Sequence, residues 1–598
     1  MITVSDYVMK YIEQLGVKDI FLLSGGGAMF LVDSAGKSNL NIIPNLHEQA
    51  SVICAEAYSS YTENIGVVIC TTGPGVTNCI TGIASAYIDS IPLLVIAGQV
   101  KTKDMIEDSN LRQKGIQEIN SISIVESITK YSKTVLDARI IRYYLDEAIH
   151  YATTGRKGPV FLEIPLDVQN SLINESKLLS GLQIGSPYTV RNELQLQNDG
   201  KINYVIKKLF QSKKPVILAG NGVRLSGALS NFKKLIKKLN IPVLLSWKAN
   251  DFMDENDPLY FGRPGSISSR YANFILQQSD LLISIGNRLD FGTTAFQPNN
   301  FAPRAEKIII DIDPFEINKQ PFSSSLIKFN CDAKNFIDSL LEKDLSNLPV
   351  HLLWLNTCTK LKEKYPICLS EYYQEKDFVN SYVFIEELSK LLNSDDIIIP
   401  SSSGSAAEIT SQAIKIKEGQ RYLFSPGLGS MGYAIPYAIG VSFASNKEKR
   451  IICIEGDGSL QHNIQELQLI KRYNLPIKLF IWNNGEYGSI RNTQNKFFKV
   501  QLVACDNSSG VTLPSISKIA IAYDIPIFKI SNHNNINLQI KNVLEYNGPV
   551  ICEVMINPKQ LTMPRVQNEI LEDGTIISKS MEDLFPFLDR KEFEESMR

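Results

Sequence analysis

Two strand-like runs, Arg450 to Ile454 and Ile477 to Trp482, each stop at a polar turn, Gly456-Asp457-Gly458-Ser459 after the first and Asn483-Asn484 after the second. Short apolar runs separated by a helical stretch predict neighbouring strands of a parallel sheet covered on both faces. Both turns would then leave the same carboxyl edge, where open α/β sheets bind ligands, so Asp457 and Asn484 could share one ion. A hard divalent cation such as Mg2+ takes oxygen ligands, one or two from side chains and the rest from phosphates and water. The glycines flanking Asp457 let the backbone approach a diphosphate, and the helix beginning near Ser459 aims its first amides at that charge. Gly-Asp-Gly alone is often only a strand-to-helix turn; the Asn-Asn pair after the next strand favours the metal-diphosphate reading.

The same alternation recurs along the chain and predicts an α/β fold of three doubly wound parallel-sheet domains. In the first, about 1–170, the candidate strands are Asp19 to Leu23, Gly66 to Cys70, Ile91 to Ala97 and Pro159 to Ile164. Residues 171–195 lose the rhythm and read as a linker. A second unit, 196–345, carries KPVILAGNGVR, IPVLLSW, DLLISIGNRLD and KIIIDIDP, with Gly220-Asn221-Gly222 and Gly286-Asn287-Arg288 at strand ends, a pattern suited to a nucleotide or dinucleotide. A polar, Lys-rich stretch, 346–380, leads to the third unit, 381–560, and residues 561–598 form an acidic tail without a sheet pattern.

At 598 residues the chain exceeds one core. Its 44% hydrophobic and 21% charged residues are ordinary for a globular protein, and a formal charge of −2 recruits neither nucleic acid nor an anionic membrane. No apolar run reaches membrane-spanning length and the N-terminus lacks a signal-peptide core, so the expectation is a cytoplasmic protein. The nine cysteines are scattered, with no Cys-x-x-Cys, and Cys70, Cys453 and Cys552 lie in apolar runs as small buried hydrophobes; disulfides and zinc are not expected.

Gly-Asp-Gly-Ser followed by Asn-Asn, with 27 positions from Asp457 to Asn484, resembles the cofactor signature of thiamine-diphosphate enzymes. Leu46-His47-Glu48-Gln49-Ala50 is similar to that family's catalytic glutamate segment, and Thr71-Thr72-Gly73-Pro74-Gly75-Val76-Thr77-Asn78 to a turn of its acetolactate synthase group. Gly427-Leu428-Gly429-Ser430-Met431-Gly432, Phe301-Ala302-Pro303-Arg304-Ala305 and Asp311-Ile312-Asp313-Pro314 also resemble that group, in the right order over nearly the whole chain. The resemblance implies that Glu48 drives the aminopyrimidine of thiamine diphosphate into its imino form, a role that needs a carboxyl in a dry pocket; a lone Glu after a strand is otherwise a solvated charge. It further implies Pro74 and Asn78 beside the cofactor, Gly429 and Met431 at the pyrimidine, and Gly404, Ser405, Gly456, Gly458, Ser459 and Gly488 at the diphosphate. Mg2+ would be held by Asp457, Asn484 and the backbone carbonyl of Glu486. Ser401 to Ser405 departs from the Gly-Gln-His of many relatives. In the family the two units sharing a cofactor come from different subunits, which implies a homodimer or homotetramer, with a regulatory small subunit as a further partner.

By the same resemblance Gly220, Gly222, Arg224, Gly262, Arg288, Asp290, Asp311 and Asp313 would hold FAD; a middle domain kept for packing alone is the other reading. Gln117, in Ile116-Gln117-Glu118, stands where relatives have Phe-Gln-Glu and is a second catalytic candidate, and the loop Lys101 to Gly115 looks longer. Thr493 occupies the position of the group's acceptor-binding tryptophan, a loss of aromatic bulk that enlarges or reshapes the pocket. The expected activity is decarboxylation of pyruvate with transfer of the hydroxyethyl unit to a carbonyl acceptor, either pyruvate, giving 2-acetolactate, or a nucleotide-linked ketosugar, giving a branched sugar. The alternatives are a non-oxidative 2-keto acid decarboxylase or other thiamine-diphosphate lyase, and a catalytically silent nucleotide-binding subunit. An NAD-binding Rossmann enzyme is disfavoured because no strand-linked Gly-x-Gly-x-x-Gly occurs.

Overall fold

The computed structural model describes residues 1–106, 110–180, 199–319, 321–322, 325–498, 501–570 and 572–598. Three parallel sheets account for the three α/β units. The first has six strands in the spatial order Asn41–Pro44, Asp19–Leu22, Gly66–Cys70, Leu93–Gln99, Pro159–Pro165, Tyr131–Thr134. The third runs Arg421–Tyr422, Ile397–Pro400, Ile451–Gly456, Ile477–Asn483, Val550–Met555, Ile527–Ile530. Numbered within each unit, both orders are 2-1-3-4-6-5, and the middle sheet is 2-1-3-4-5. All three therefore reverse direction between their first and third strands, and that switch point opens a ligand crevice at the carboxyl edge.

Local chemistry sets the helices that follow those edges. His47 caps the helix Glu48–Thr62 by accepting the Gln49 amide on Nδ1 at 3.1 Å, and Glu63 ends it at φ 58°. Gly73, at φ 63°, and Pro74 start the helix Pro74–Asp89; proline at the first helical position gives up no bonded amide. Cys70, Cys453 and Cys552 are buried within strands.

The first and third units share one apolar core, running from Phe21, Val52 and Val76 through Ile435 and Ile439 to Ile451. Its centre is the pairing of Glu48–Thr62 with Ala434–Ala444, and a Cβ at Gly440 would lie 2.2 Å from the Cys54 carbonyl oxygen. The middle unit has its own core around Phe232, Phe252 and Ile283.

The segments outside the sheets hold more structure than the sequence suggested. Leu172–Ile173 pairs antiparallel with Ile2–Thr3, while residues 181–195 of the expected linker, with 196–198 after it, lie outside the described residues. Within 346–380, the helix Leu352–Lys364 buries Trp354, whose Nε1 donates to Pro215 O at 3.1 Å. The tail carries a hairpin, Asn568–Ile570 with Ile576–Ser578, and a helix, Arg590–Ser596. The absence of a sheet pattern expected there is corrected by the turn at Asp573-Gly574, where Gly574 has φ 84°; Asp-Gly favours tight hairpins.

Candidate active site

Gly456 pairs with Trp482 across the third sheet, so Asp457 and the Asn483-Asn484 turn leave the sheet side by side. Asp457 is only 3% exposed. Its Oδ2 accepts the amides of Asn484 at 3.1 Å and Gly485 at 2.7 Å, and its Oδ1 accepts that of Gly458 at 2.8 Å. Burial nevertheless pushes its carboxyl up to about 7, outweighing those amides. A divalent cation reverses that balance by favouring the ionised form. Asn484 Oδ1 accepts the Glu486 amide at 3.2 Å, and a Cβ at Gly488 would lie 2.7 Å from Asn484 Nδ2. The Glu486 side chain is held by Arg491 at 2.8 Å, which leaves its backbone carbonyl as the ligand this turn could offer. Among the described residues no group of three or more His, Cys, Asp and Glu is placed to hold a metal by itself. One carboxylate, one amide oxygen and one carbonyl suit a hard cation that completes its shell with phosphate and water.

The loop from Gly427 to Gly432 is tied to this edge. Ser459 Oγ accepts the Gly432 amide at 2.8 Å, and the buried Glu455 accepts Ala434 N at 3.2 Å. Gly429 and Gly432 have φ 69° and 75°, and a Cβ at Gly432 would lie 2.5 Å from that of His462. Met431, between them, is 36% exposed. Gly404, at φ 71°, opens the helix Gly404–Ala413 after the unit's first strand, and Ser405 follows on its first turn.

At the carboxyl edge of the first sheet, after its second strand, Glu48 is 6% exposed and its Oε2 accepts Asn78 Nδ2 at 2.9 Å. Gly75 and Thr71 line the same corner. Gln117 is exposed at φ 64°, and a Cβ at Gly73 would lie 2.4 Å from its carbonyl oxygen. Its neighbour Glu118 is 3% exposed and accepts Gly115 N at 2.8 Å, Lys114 N at 3.1 Å and Ile106 N. Glu118 therefore organises the loop before it, part of which, 107–109, lies outside the described residues. The two edges are joined within the chain: Glu466 accepts Asn45 Nδ2 and Leu46 N, both at 3.0 Å, and Asn463 Nδ2 reaches Gly432 O at 2.8 Å and Gln49 Oε1 at 3.4 Å. Sequence reasoning passed over Glu118, Glu455 and Glu466 because each is an isolated glutamate whose partners are distant in sequence or lie in backbone amides.

A cavity of about 710 Å³ opens where the middle unit meets the other two. Gly220, Gly222, Arg288, Asp290 and Asp311 line it. Its floor is two interlocked turns, since a Cβ at Gly220 would lie 2.3 Å from Gly286 O and one at Gly222 2.7 Å from Gly286 Cα. Arg288 donates to Ile88 O at 3.1 Å and Asp290 at 3.2 Å, and burial pushes Asp311 up to about 6. Three candidates sit elsewhere. Arg224 pairs with the buried Asp251 at 2.9 Å, whose other oxygen holds Arg421 at 3.1 Å. Gly262 serves a turn at φ 85°, and Asp313 is bound by Arg156 at 2.8 Å. Glycine turns and acidic residues at strand ends are the donor set of a dinucleotide site.

Thiamine pyrophosphate is another name for thiamine diphosphate, and three models of enzymes using it match this chain in order. The N-terminal TPP binding domain covers residues 2–124, the central domain 202–340 and the C-terminal TPP binding domain 402–554. The chain belongs to the thiamine pyrophosphate enzyme family. Among similar proteins, acetolactate synthase 2, chloroplastic, of Nicotiana tabacum is 30% identical over 94% of this chain and 83% of its own length. The acetolactate synthase large subunit of Porphyra purpurea is 30% identical over 94% and 92%, and that of Cyanidium caldarium 30% over 92% and 92%.

Proposed function

We propose that the protein is a pyruvate carboligase of the acetolactate synthase type, which removes CO2 from pyruvate and joins the remaining two carbons to a carbonyl acceptor. The observation carrying this reading is the oxygen-only set of Asp457, Asn484 and the Glu486 carbonyl at the carboxyl edge of the third sheet, combined with a buried glutamate at the equivalent edge of the first sheet. Thiamine diphosphate, when bound, would supply a carbon nucleophile and an electron sink for loss of CO2 from a 2-keto acid. Asp457, Asn484 and Glu486 would hold Mg2+, Ser459, Gly458 and the Gly404 helix would face the diphosphate, and Gly429 and Met431 would bracket the pyrimidine. Glu48, kept from water beside Asn78, moves a proton at the pyrimidine ring nitrogen. The cavity of the middle unit would take FAD through Gly220, Gly222, Arg288 and Asp311. The boundaries 1–170, 196–345 and 381–560 are part of this reading, as is a homodimer in which one subunit's Glu48 serves its partner's diphosphate site.

Thr493 favours a bulky acceptor. It is exposed on Gly488–Phe497, a helix with no buried residue, and turns its Oγ1 back to Ser489 O at 2.9 Å. A nucleotide-linked ketosugar is thus a candidate beside pyruvate itself. Mass spectrometry of products from pyruvate, with and without keto acids and nucleotide ketosugars, tests this: a coupled product is expected, and acetaldehyde alone would identify a decarboxylase. Glu48→Gln is expected to retain the cofactor but slow exchange of its C2 proton about a hundredfold or more. Exchange at the wild-type rate would remove Glu48 from the mechanism.

A further inference from the structure

Two aromatic rings stand in solvent at the rim of the large cavity. Phe291 lines it and Phe296 lies against Phe291; they are 56% and 54% exposed, stacked with centroids 6.2 Å apart and planes 8° from parallel. Their loop is fixed at both ends. Asp290 Oδ1 accepts Thr293 N at 2.8 Å, Phe296 N donates to Phe291 O at 2.8 Å, and Gln297 Nε2 donates to Ser578 O in the tail hairpin. Ala295 and Phe296 hold φ 52° and 63°, a left-handed backbone that is rare for a residue as large as phenylalanine. Exposed apolar residues are ordinary when they stand singly. Here a strained, anchored turn presents two parallel rings to water, which is the form of a stacking platform.

Two cations continue the same rim. Ser266 N donates to Gly292 O at 2.8 Å and Ser266 O accepts Val566 N at 2.7 Å, so the tail runs beside the platform, with Arg565 bridged to Ile267. Beyond the tail lies the helix Gly488–Phe497, where Lys496 stands three residues from Thr493 and therefore on the same face. Partial burial and the charge of Arg565 hold the Lys496 ammonium below its ordinary value. Neither cation forms an ion pair among the described residues. Glu408, which acts on Tyr382 together with Arg565, is bound by Thr562 at 2.8 Å, and Glu486 is taken by Arg491. An anion between the two like charges relieves their repulsion.

We infer that this rim holds the nucleotide part of the acceptor: Phe291 and Phe296 stack its base, Arg565 and Lys496 hold its diphosphate, and its sugar lies toward Thr493 and the start of that helix at Gly488, beside Asn484. Given the carboligase reading above, on which this assignment rests, the acceptor is a ketosugar linked to a nucleoside diphosphate. Every base offers a ring face, so the platform selects for a nucleotide and not for one base.

The test is calorimetric titration of the full-length protein, loaded with thiamine diphosphate, Mg2+ and FAD, using uridine diphosphate, inorganic pyrophosphate and uridine. Uridine diphosphate should saturate, with pyrophosphate and uridine each weaker by about tenfold or more. Phe291→Leu and Phe296→Leu should weaken uridine diphosphate about tenfold and leave pyrophosphate unchanged. Arg565→Met and Lys496→Met should weaken uridine diphosphate and pyrophosphate alike and leave uridine unchanged. All four side chains are exposed, so melting should match wild type. No saturation at millimolar uridine diphosphate, or wild-type affinity in the leucine variants, would overturn the proposal. So would leucine variants that bind normally but dissociate in sedimentation, which would assign the rings to a second copy of the chain. Binding is read without turnover: a coupled product from pyruvate with no nucleotide binding would remove this site and keep the carboligase, and nucleotide binding with no coupled product would do the opposite.

Discussion

Glu56 lies two turns beyond Glu48 on the same helix, fully buried, accepting the Tyr433 phenol on Oε2 and leaving Oε1 without a partner. Burial pushes its carboxyl up to about 7, with Lys248 opposing the rise and Asp89 adding to it. Its folded value thus stands above the ordinary one near 4.5, and the folded state holds a proton that the unfolded chain releases first. The stabilisation is complete below pH 4.5 and is lost as pH rises to about 7, a span of about 3 kcal/mol. Glu56→Gln removes this dependence, so the melting temperature of wild type relative to the variant should fall between pH 5 and 8; parallel curves would show that Glu56 does not titrate in that window. Asp457 is raised by burial in the same way, and in the proposed reading it meets a cation. Asp457→Asn is expected to lose more than about tenfold in Mg2+-dependent thiamine diphosphate affinity, read by tryptophan quenching.

At the scale of elements, the packing of Glu48–Thr62 on Ala434–Ala444 depends on backbone contact. Gly440→Ala forces a methyl to within 2.2 Å of Cys54 O and should cost about 1–3 kcal/mol in denaturant unfolding. An unchanged midpoint would mean that the two helices separate freely. The inner strands and their turns were legible in the sequence because each is local, and Gly456-Asp457-Gly458 and Gly220-Asn221-Gly222 announce their own backbone demands, whereas edge strands such as Asn41–Pro44, Tyr131–Thr134 and Leu326–Asn330, only partly apolar, were not. Strand order was not legible, because it follows from pairings such as Val95 with Phe161 across intervening helix, and the matching 2-1-3-4-6-5 order of the first and third sheets leaves no repeat in sequence. The site was legible to the same extent. Glu48 and Asp457 stand in short motifs, whereas Arg224 looked like a cavity residue until its partner Asp251, 27 positions on, was in view.

At the scale of the molecule, the tail is a strap on the middle unit. Arg270, itself buried, donates to Leu584 O at 2.9 Å and Pro586 O at 2.7 Å, and Asn273 donates to Met581 O at 2.6 Å. Leu584 and Met581 are buried in the same apolar cluster as Phe274, which meets Phe593 edge to face. Truncation after Lys559 should therefore destabilise the middle unit by several kcal/mol, about 1–3 for each buried donor left unpaired, with dye binding to its bared apolar face; an unaltered melting curve would contradict this role. The strap also sets an order of assembly. A nascent chain leaves the ribosome N-terminus first, so the middle unit, although made second, waits open for residues that are synthesised after the third unit. Its sealing therefore follows the third unit, and a chain cut short before the strap would leave two finished units around an unfinished one.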